Sequence, residues 1–153
     1  MQPGTTMYRF VEYTTGQYMT QEVITVARST TLRELEQLFE RHDFNAFPVV
    51  EAGTMLGLVT KLDFLKAFIF TTGQIVPHYD ELMQRVVSDV MTEAVVHLDA
   101  TTPLTRALQM MVDLKARSFP VIGPDRQLAG MISREDVMRA LRDATGAERS
   151  PSR

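Results

Sequence analysis

Apolar and polar positions fall into the same order twice along the chain. Each copy opens on a short β-branched run, Val23 to Val26 and Val95 to Leu98, the composition of a strand. Apolar residues at helical spacing follow. In the first copy Leu32, Leu35, Leu38 and Phe39 share a face, and Thr31 with Glu34 three residues on predicts a capping box. In the second, Leu104, Leu108 and Met111 share the face, Thr102 is the predicted N-cap, and Pro103 takes the first helical position, where a missing N–H costs nothing. Two apolar runs around a turn come next, Phe47 to Val50 with Met55 to Val59, and Phe119 to Ile122 with Leu128 to Ile132. They read as buried strand pairs. A second helix closes each copy, starting near Lys61 and near Arg134. Asp63 and Asp136 fall in its first turn, where the helix dipole favours negative charge. The predicted order is β-α-β-β-α, twice, an α/β (α+β) chain.

The two copies also match residue by residue, as a duplicated unit should. A shift of 72 positions lays Met19-Thr20 on Met91-Thr92, Val23 on Val95, Leu32 on Leu104 and Phe47-Pro48-Val49 on Phe119-Pro120-Val121. One extra residue within Gly123 to Arg126 moves the shift to 73, and Gly57 to Asp63 then meets Gly130 to Asp136. An insertion in a turn costs little. The predicted organisation is an N-terminal extension at 1–17, a first repeat at 18–70, a linker at 71–88 with a short helix Glu81 to Val87, a second repeat at 89–145, and a disordered tail at 146–153. Polar, small-residue-rich ends, Met1 to Met7 and Ala147 to Arg153, are expected to fray. With 153 residues, two small halves sharing a core are expected rather than two independent domains.

Bulk composition then removes several function classes. At 44% hydrophobic and 23% charged residues the chain is a globular one. A net charge of −3 without any Lys/Arg cluster argues against nucleic acid as a partner. The absence of cysteine excludes disulfides, thiolate metal sites and thiol nucleophiles. No signal-peptide pattern opens the chain, and the most apolar run, Phe64 to Phe70, is broken by Lys66 and too short to span ~30 Å of hydrocarbon. A cytoplasmic protein without membrane insertion is expected.

The repeated G-h-h-[ST]-x-x-D element, with h apolar, holds the most chemistry. Its glycine lets another backbone or a ligand approach closely. Thr60 and Ser133 offer hydroxyls beside the free N–H groups of a starting helix, together an anion site. Asp63 and Asp136 present carboxylates able to accept two hydrogen bonds from a ribose diol, as an acidic residue does in dinucleotide folds. The competing reading is an ordinary helix cap, Ser or Thr followed three residues later by Asp. His42, His78 and His97 share no ligand spacing, so no metal site is expected. No G-x-x-x-x-G-K-[ST] loop occurs.

The repeated h-P-V-[VI] strand, the V-x-T-like strand start and the closing G-h-h-[ST]-x-x-D together resemble the CBS domain family, from about Tyr18 to Asp143. The resemblance implies two repeats packed with pseudo-twofold symmetry into one Bateman module. It also implies two clefts for AMP, ADP or ATP, with NAD or S-adenosylmethionine as further candidates. On this sequence Asp63 and Asp136 would bind ribose, and Thr60 and Ser133 phosphate. The segments Val23-Ile24-Thr25 and Val95-Val96-His97, with Phe47-Pro48 and Phe119-Pro120, would line the adenine slots. Members that bind polyphosphates often place a basic residue before the h-P strand; Arg117 stands there in the second copy and Asn45 in the first. Lys61 and Arg134 are further candidate contacts. The two sites are thus expected to differ in phosphate preference.

Catalysis needs a nucleophile, base or metal converging in one place, and the two carboxylates belong to separate sites. No catalytic residue or catalytic cofactor is assigned. The expected function is a non-enzymatic, ligand-sensing regulatory one, with a dimerisation scaffold as the alternative. Apolar faces on the closing helices (Phe64, Leu65, Phe68, Ile69; Val137, Met138, Leu141) and the family's usual assembly predict a homodimer. Any output would go to a separate effector protein.

Overall fold

The computed structural model describes residues 9–69 and 78–146. The expected frayed ends and the first seven linker residues, Thr71 to Pro77, lie outside the described residues. The chain forms two compact units, Ile24–Val95 and a second assembled from residues up to Val23 with those from Val96 on.

In the Ile24–Val95 unit, Thr31 starts α2 (Leu32–Arg41): its hydroxyl accepts the Glu34 N–H at 3.1 Å and the Glu34 carboxylate accepts the Thr31 N–H at 2.9 Å. This is the predicted capping box. Leu32 and Leu35 are fully buried and Leu38 and Phe39 pack beside them, as the apolar spacing requires. Strands β1 (Ala46–Glu51) and β2 (Thr54–Thr60) form an antiparallel hairpin with Phe47 opposite Val59. Its two-residue turn puts Ala52 (φ 53°) and Gly53 (φ 81°) in the left-handed region, which matches strand twist. Val49 faces Gly57 and Val50 faces Met55, so Leu56 bulges out just before the glycine of the repeated motif. A six-residue helix, α3 (Lys61–Lys66), follows directly.

Single bridges widen this hairpin on both sides. Val26 donates to Pro48 O at 3.0 Å and accepts from Val50 N–H at 2.9 Å, while Thr92 and Leu58 exchange two 2.8 Å bonds. The expected strands Val23 to Val26 and Val95 to Leu98 shrink to their last residues, Val26 and Leu98, because only these reach a neighbouring strand. Beyond the undescribed stretch, α4 (Tyr79–Met83) and a 3₁₀ turn (Val87–Asp89) replace the predicted helix Glu81 to Val87. The helix stops early because the chain is drawn onto the start of α2: Leu32 N–H donates to Arg85 O, and Val87 N–H to Thr30 O, each at 2.8 Å. Met83 and Val87 thereby join the core of Val26, Leu32, Leu35, Phe47, Val49 and Val59.

The second unit repeats the plan. Its described residues start with a helical turn at 9–12 and α1 (Thr15–Tyr18), and continue with α5 (Leu104–Leu114), β3 (Ser118–Ile122), β4 (Leu128–Ser133) and α6 (Arg134–Gly146). Phe119 faces Ile132, and Ala129 bulges before Gly130 as Leu56 does before Gly57. Bridges Leu98 to Val121 and Thr20 to Met131 flank the hairpin. Thr102 is not the N-cap of α5. Pro103 occupies that position in extended geometry (ψ 142°), and the first helical N–H, from Leu104, goes to Tyr13 O at 3.0 Å. The Thr102 hydroxyl instead accepts the Asp99 N–H at 3.2 Å, and its carbonyl accepts both the backbone N–H and the hydroxyl of Thr15 at 2.8 Å. Residues ahead of the first repeat are therefore structural here: Phe10 and Thr15 are buried, Phe10 in the core with Leu98, Leu104, Phe119 and Ile132. Among the described residues no helix is long and apolar enough to cross a membrane.

Candidate functional site

Thr60 ends β2 in extended geometry (ψ 168°), which turns the chain sharply into α3. Its hydroxyl accepts the Asp63 N–H at 3.0 Å, and Asp63 Oδ2 accepts the Thr60 N–H at 3.0 Å. The Asp63 side chain keeps 6% of its surface. The Thr92 hydroxyl lies 3.4 Å from both carboxylate oxygens, and Lys66 Nζ stands 4.0 Å from Oδ1. The cap bond that the carboxylate accepts thus falls on Oδ2, and Oδ1 has only loose company.

Ser133 and Asp136 repeat the box at the start of α6, with the Asp136 N–H donating to Ser133 Oγ at 3.2 Å and the Ser133 N–H to Asp136 Oδ2 at 3.0 Å. The Thr20 hydroxyl sits 3.4 Å from both oxygens, as Thr92 does in the other unit. Here Oδ1 also accepts a 3.0 Å ionic bond from Arg139 Nη1. Arg139 Nη2 donates to Tyr18 O at 2.9 Å and its guanidinium lies 5.4 Å from the Tyr18 ring centroid. Tyr18 in turn donates to Asp143 at 2.7 Å. Burial, then the Asp143 carboxylate, push its phenol well above the usual tyrosine range.

The glycines of the two motifs have a definite neighbour. A Cβ on Gly57 would fall 2.5 Å from Thr92 O, and one on Gly130 would fall 2.5 Å from Thr20 O. The close approach that the sequence left open, backbone or ligand, is made by the Met-Thr segment, whose backbone bonds bring its hydroxyl to the carboxylate.

Other sequence candidates take up varied places. Lys61 N–H bonds Asn45 O, and Arg134 N–H bonds Arg117 O, each at 3.0 Å, so the residue before each h-P strand abuts the closing helix. Arg134 Nε donates to Ala116 O at 3.0 Å, and Lys61 Nζ lies 5.9 Å from the Phe39 ring centroid. Arg117 is exposed. The Phe47 and Phe119 rings are inside their cores, and Pro48 and Pro120 are buried with their carbonyls bonded to Val26 and Leu98. Val23, Ile24 and Val95 are half-buried, whereas Thr25, Val96 and His97 are exposed. Among the described residues no three His, Asp or Glu side chains gather as metal ligands.

Sequence reasoning missed Thr92, Thr20, Lys66 and Arg139. Two signals pointed to them: the duplicated Met-Thr dipeptide, and a basic residue three positions after each motif aspartate, which a helix places on the same face.

Comparison with known proteins agrees with this architecture. The CBS domain model matches residues 16–69 and 87–143. CBSX1, a chloroplastic CBS domain-containing protein of Arabidopsis thaliana, is 28% identical over 84% of this chain and 64% of its own length. This chain therefore spans less than two thirds of that relative. The CBS domain-containing protein YhcV of Bacillus subtilis is 30% identical over 78% of this chain and 79% of its own. The crystal structure of CBSX2 in complex with AMP matches with a TM-score of 0.73 at 26% identity, covering 87% of this chain and 98% of that one. With two matched segments, each containing its own hydroxyl–carboxylate box, the chain belongs to the CBS domain family as a pair of CBS repeats.

Proposed function

We propose that this CBS pair is a regulatory module that binds an adenosine nucleotide (AMP, ADP or ATP) through its Thr60/Asp63 and Ser133/Asp136 elements and relays occupancy to a partner protein. The observation behind this reading is how each carboxylate divides its work. The cap uses Oδ2, so a sugar hydroxyl can be accepted at Oδ1, which is only loosely accompanied at Asp63 and is shared with Arg139 at Asp136, without loss of the helix start. Helix capping and ribose recognition are therefore compatible rather than rival roles. CBSX2, 26% identical, is solved with AMP, which favours the same ligand class here. The exposed Arg117 supplies a donor suited to phosphate.

Relay requires that the nucleotide bind one arrangement of the module better than another. Pull-downs with and without nucleotide would then recover different partners. Exposed Leu62 (62%) and Leu65 (58%) on α3, with Ile69 (69%) just beyond it, favour self-association as a homodimer. Light scattering on a Leu62→Glu/Leu65→Glu variant checks this: the wild type runs as a dimer, the variant as a monomer. Those same exposed residues favour the second reading, a dimerisation scaffold without a physiological ligand.

A thermal-shift panel of AMP, ADP, ATP, NAD and S-adenosylmethionine decides between the two. A ligand at about 100 times its Kd stabilises by about 2.7 kcal/mol, several degrees for a chain of this size. No shift from any of the five at millimolar concentration would refute nucleotide sensing.

A further inference from the structure

Although the two motif aspartates are equally buried, at 6% and 5% side-chain exposure, their cationic neighbours differ in kind. Lys66 is a 60% exposed point charge 4.0 Å from Asp63 Oδ1, at the edge of ion pairing and held there by nothing else described. Arg139 is fixed on three sides: by Asp136 Oδ1 at 3.0 Å, by Tyr18 O at 2.9 Å, and by the Tyr18 ring beneath its guanidinium at 5.4 Å. That ring is itself held, its hydroxyl by Asp143 at 2.7 Å and the ring by a tilted contact with Tyr13 at 4.9 Å between centroids. In the duplication Tyr18 corresponds to Val90, which offers neither a ring nor a tether, so the first repeat cannot build the same clamp.

We propose that Arg139 makes the two sites unequal, by occupying the one Asp136 oxygen that the helix cap leaves for a ribose diol, so that the Asp63 site binds the sugar more tightly. This rests on the nucleotide-binding reading above. A guanidinium bond to a carboxylate is charge-assisted and preorganised, and a diol must displace or share it. A lysine on a flexible, hydrated stem moves aside at little cost. Arg139 is thus a positioning residue that sets the order in which the sites fill.

Adenosine is the suitable probe, since without phosphate it does not report on Arg117 or on the charge of Arg139. Isothermal titration of the full chain is expected to show two phases about tenfold apart, the difference of one hydrogen bond to a charged group. Asp63→Asn removes the tighter phase and Asp136→Asn the weaker. Arg139→Lys, which gives the second repeat the Asp/Lys pair of the first, brings the weaker phase to within about twofold of the tighter one. Lys66→Arg, lacking a tyrosine to anchor it, leaves the tighter phase unchanged. A gain of affinity at one site is not a result that structural damage produces. Equal phases in the wild type, a tighter Asp136 site, or an Arg139→Lys variant of native circular dichroism with an unmoved weaker phase would each overturn the inference while leaving nucleotide binding intact. Absence of binding by adenosine, AMP and ATP alike would overturn both.

Discussion

Gly57→Ala tests whether the motif glycine serves the protein's own backbone. The added methyl would lie 2.5 Å from Thr92 O and 3.3 Å from its carbonyl carbon, against an ordinary contact of about 3.4 Å or more. Relief needs a shift of about 1 Å in a segment tied to Leu58 by two 2.8 Å hydrogen bonds. Overpacking of this kind costs about 1–3 kcal/mol, and each backbone bond lost adds about 0.5–1.5 kcal/mol. The expected destabilisation is about 2–5 kcal/mol, a large share of a typical ~5–15 kcal/mol stability. Urea unfolding followed by circular dichroism measures it, with the midpoint falling and the slope unchanged. Gly130→Ala should behave alike through Thr20 O, also 2.5 Å away. A variant within about 0.5 kcal/mol of the wild type yet deficient in nucleotide binding would refute the backbone explanation and give the glycine to the ligand.

Asp63→Ala and Asp136→Ala should each cost about 0.5–2 kcal/mol of stability through the lost cap and weaken AMP at one site by about 1.5–3 kcal/mol, read by urea unfolding and titration calorimetry. Loss of stability with unchanged affinity in both would leave capping as their sole role. A chain beginning at Thr20 lacks the buried Phe10 and Thr15, so hydrogen exchange should accelerate in α5, β3 and β4 while the Ile24–Val95 unit keeps its protection. Uniform exchange across both units would contradict that division. One of the four tyrosines, Tyr18, should resist ionisation when absorbance at alkaline pH is followed. Its pKa is raised above 10.0, so the folded state holds the proton more tightly; the stability this contributes is intact below about pH 10 and lost as pH rises beyond it. Tyr18→Phe should flatten that alkaline loss, and an unaltered profile would show that Tyr18 is not its source.

Local pattern alone determined much of this protein. The spacing of Leu32, Leu35, Leu38 and Phe39, the Thr31/Glu34 box, both hairpins and the Thr60/Asp63 and Ser133/Asp136 junctions all depend on residues a few positions apart, whose preferences survive in any context. Duplication then revealed the repeated architecture. Tertiary structure decided whatever depended on distant partners. Thr102 looked like a cap until Thr15, 87 residues away, claimed its carbonyl and Tyr13 O took the Leu104 N–H. The linker helix ended early because Arg85 and Val87 bond the start of α2. Thr20 reaches Asp136 across 116 positions, and Arg139 is a surface arginine by sequence but a tethered clamp once Tyr18 is folded beneath it. Hydrogen-bonding groups have several acceptable partners, and only the folded chain selects among those far apart in sequence.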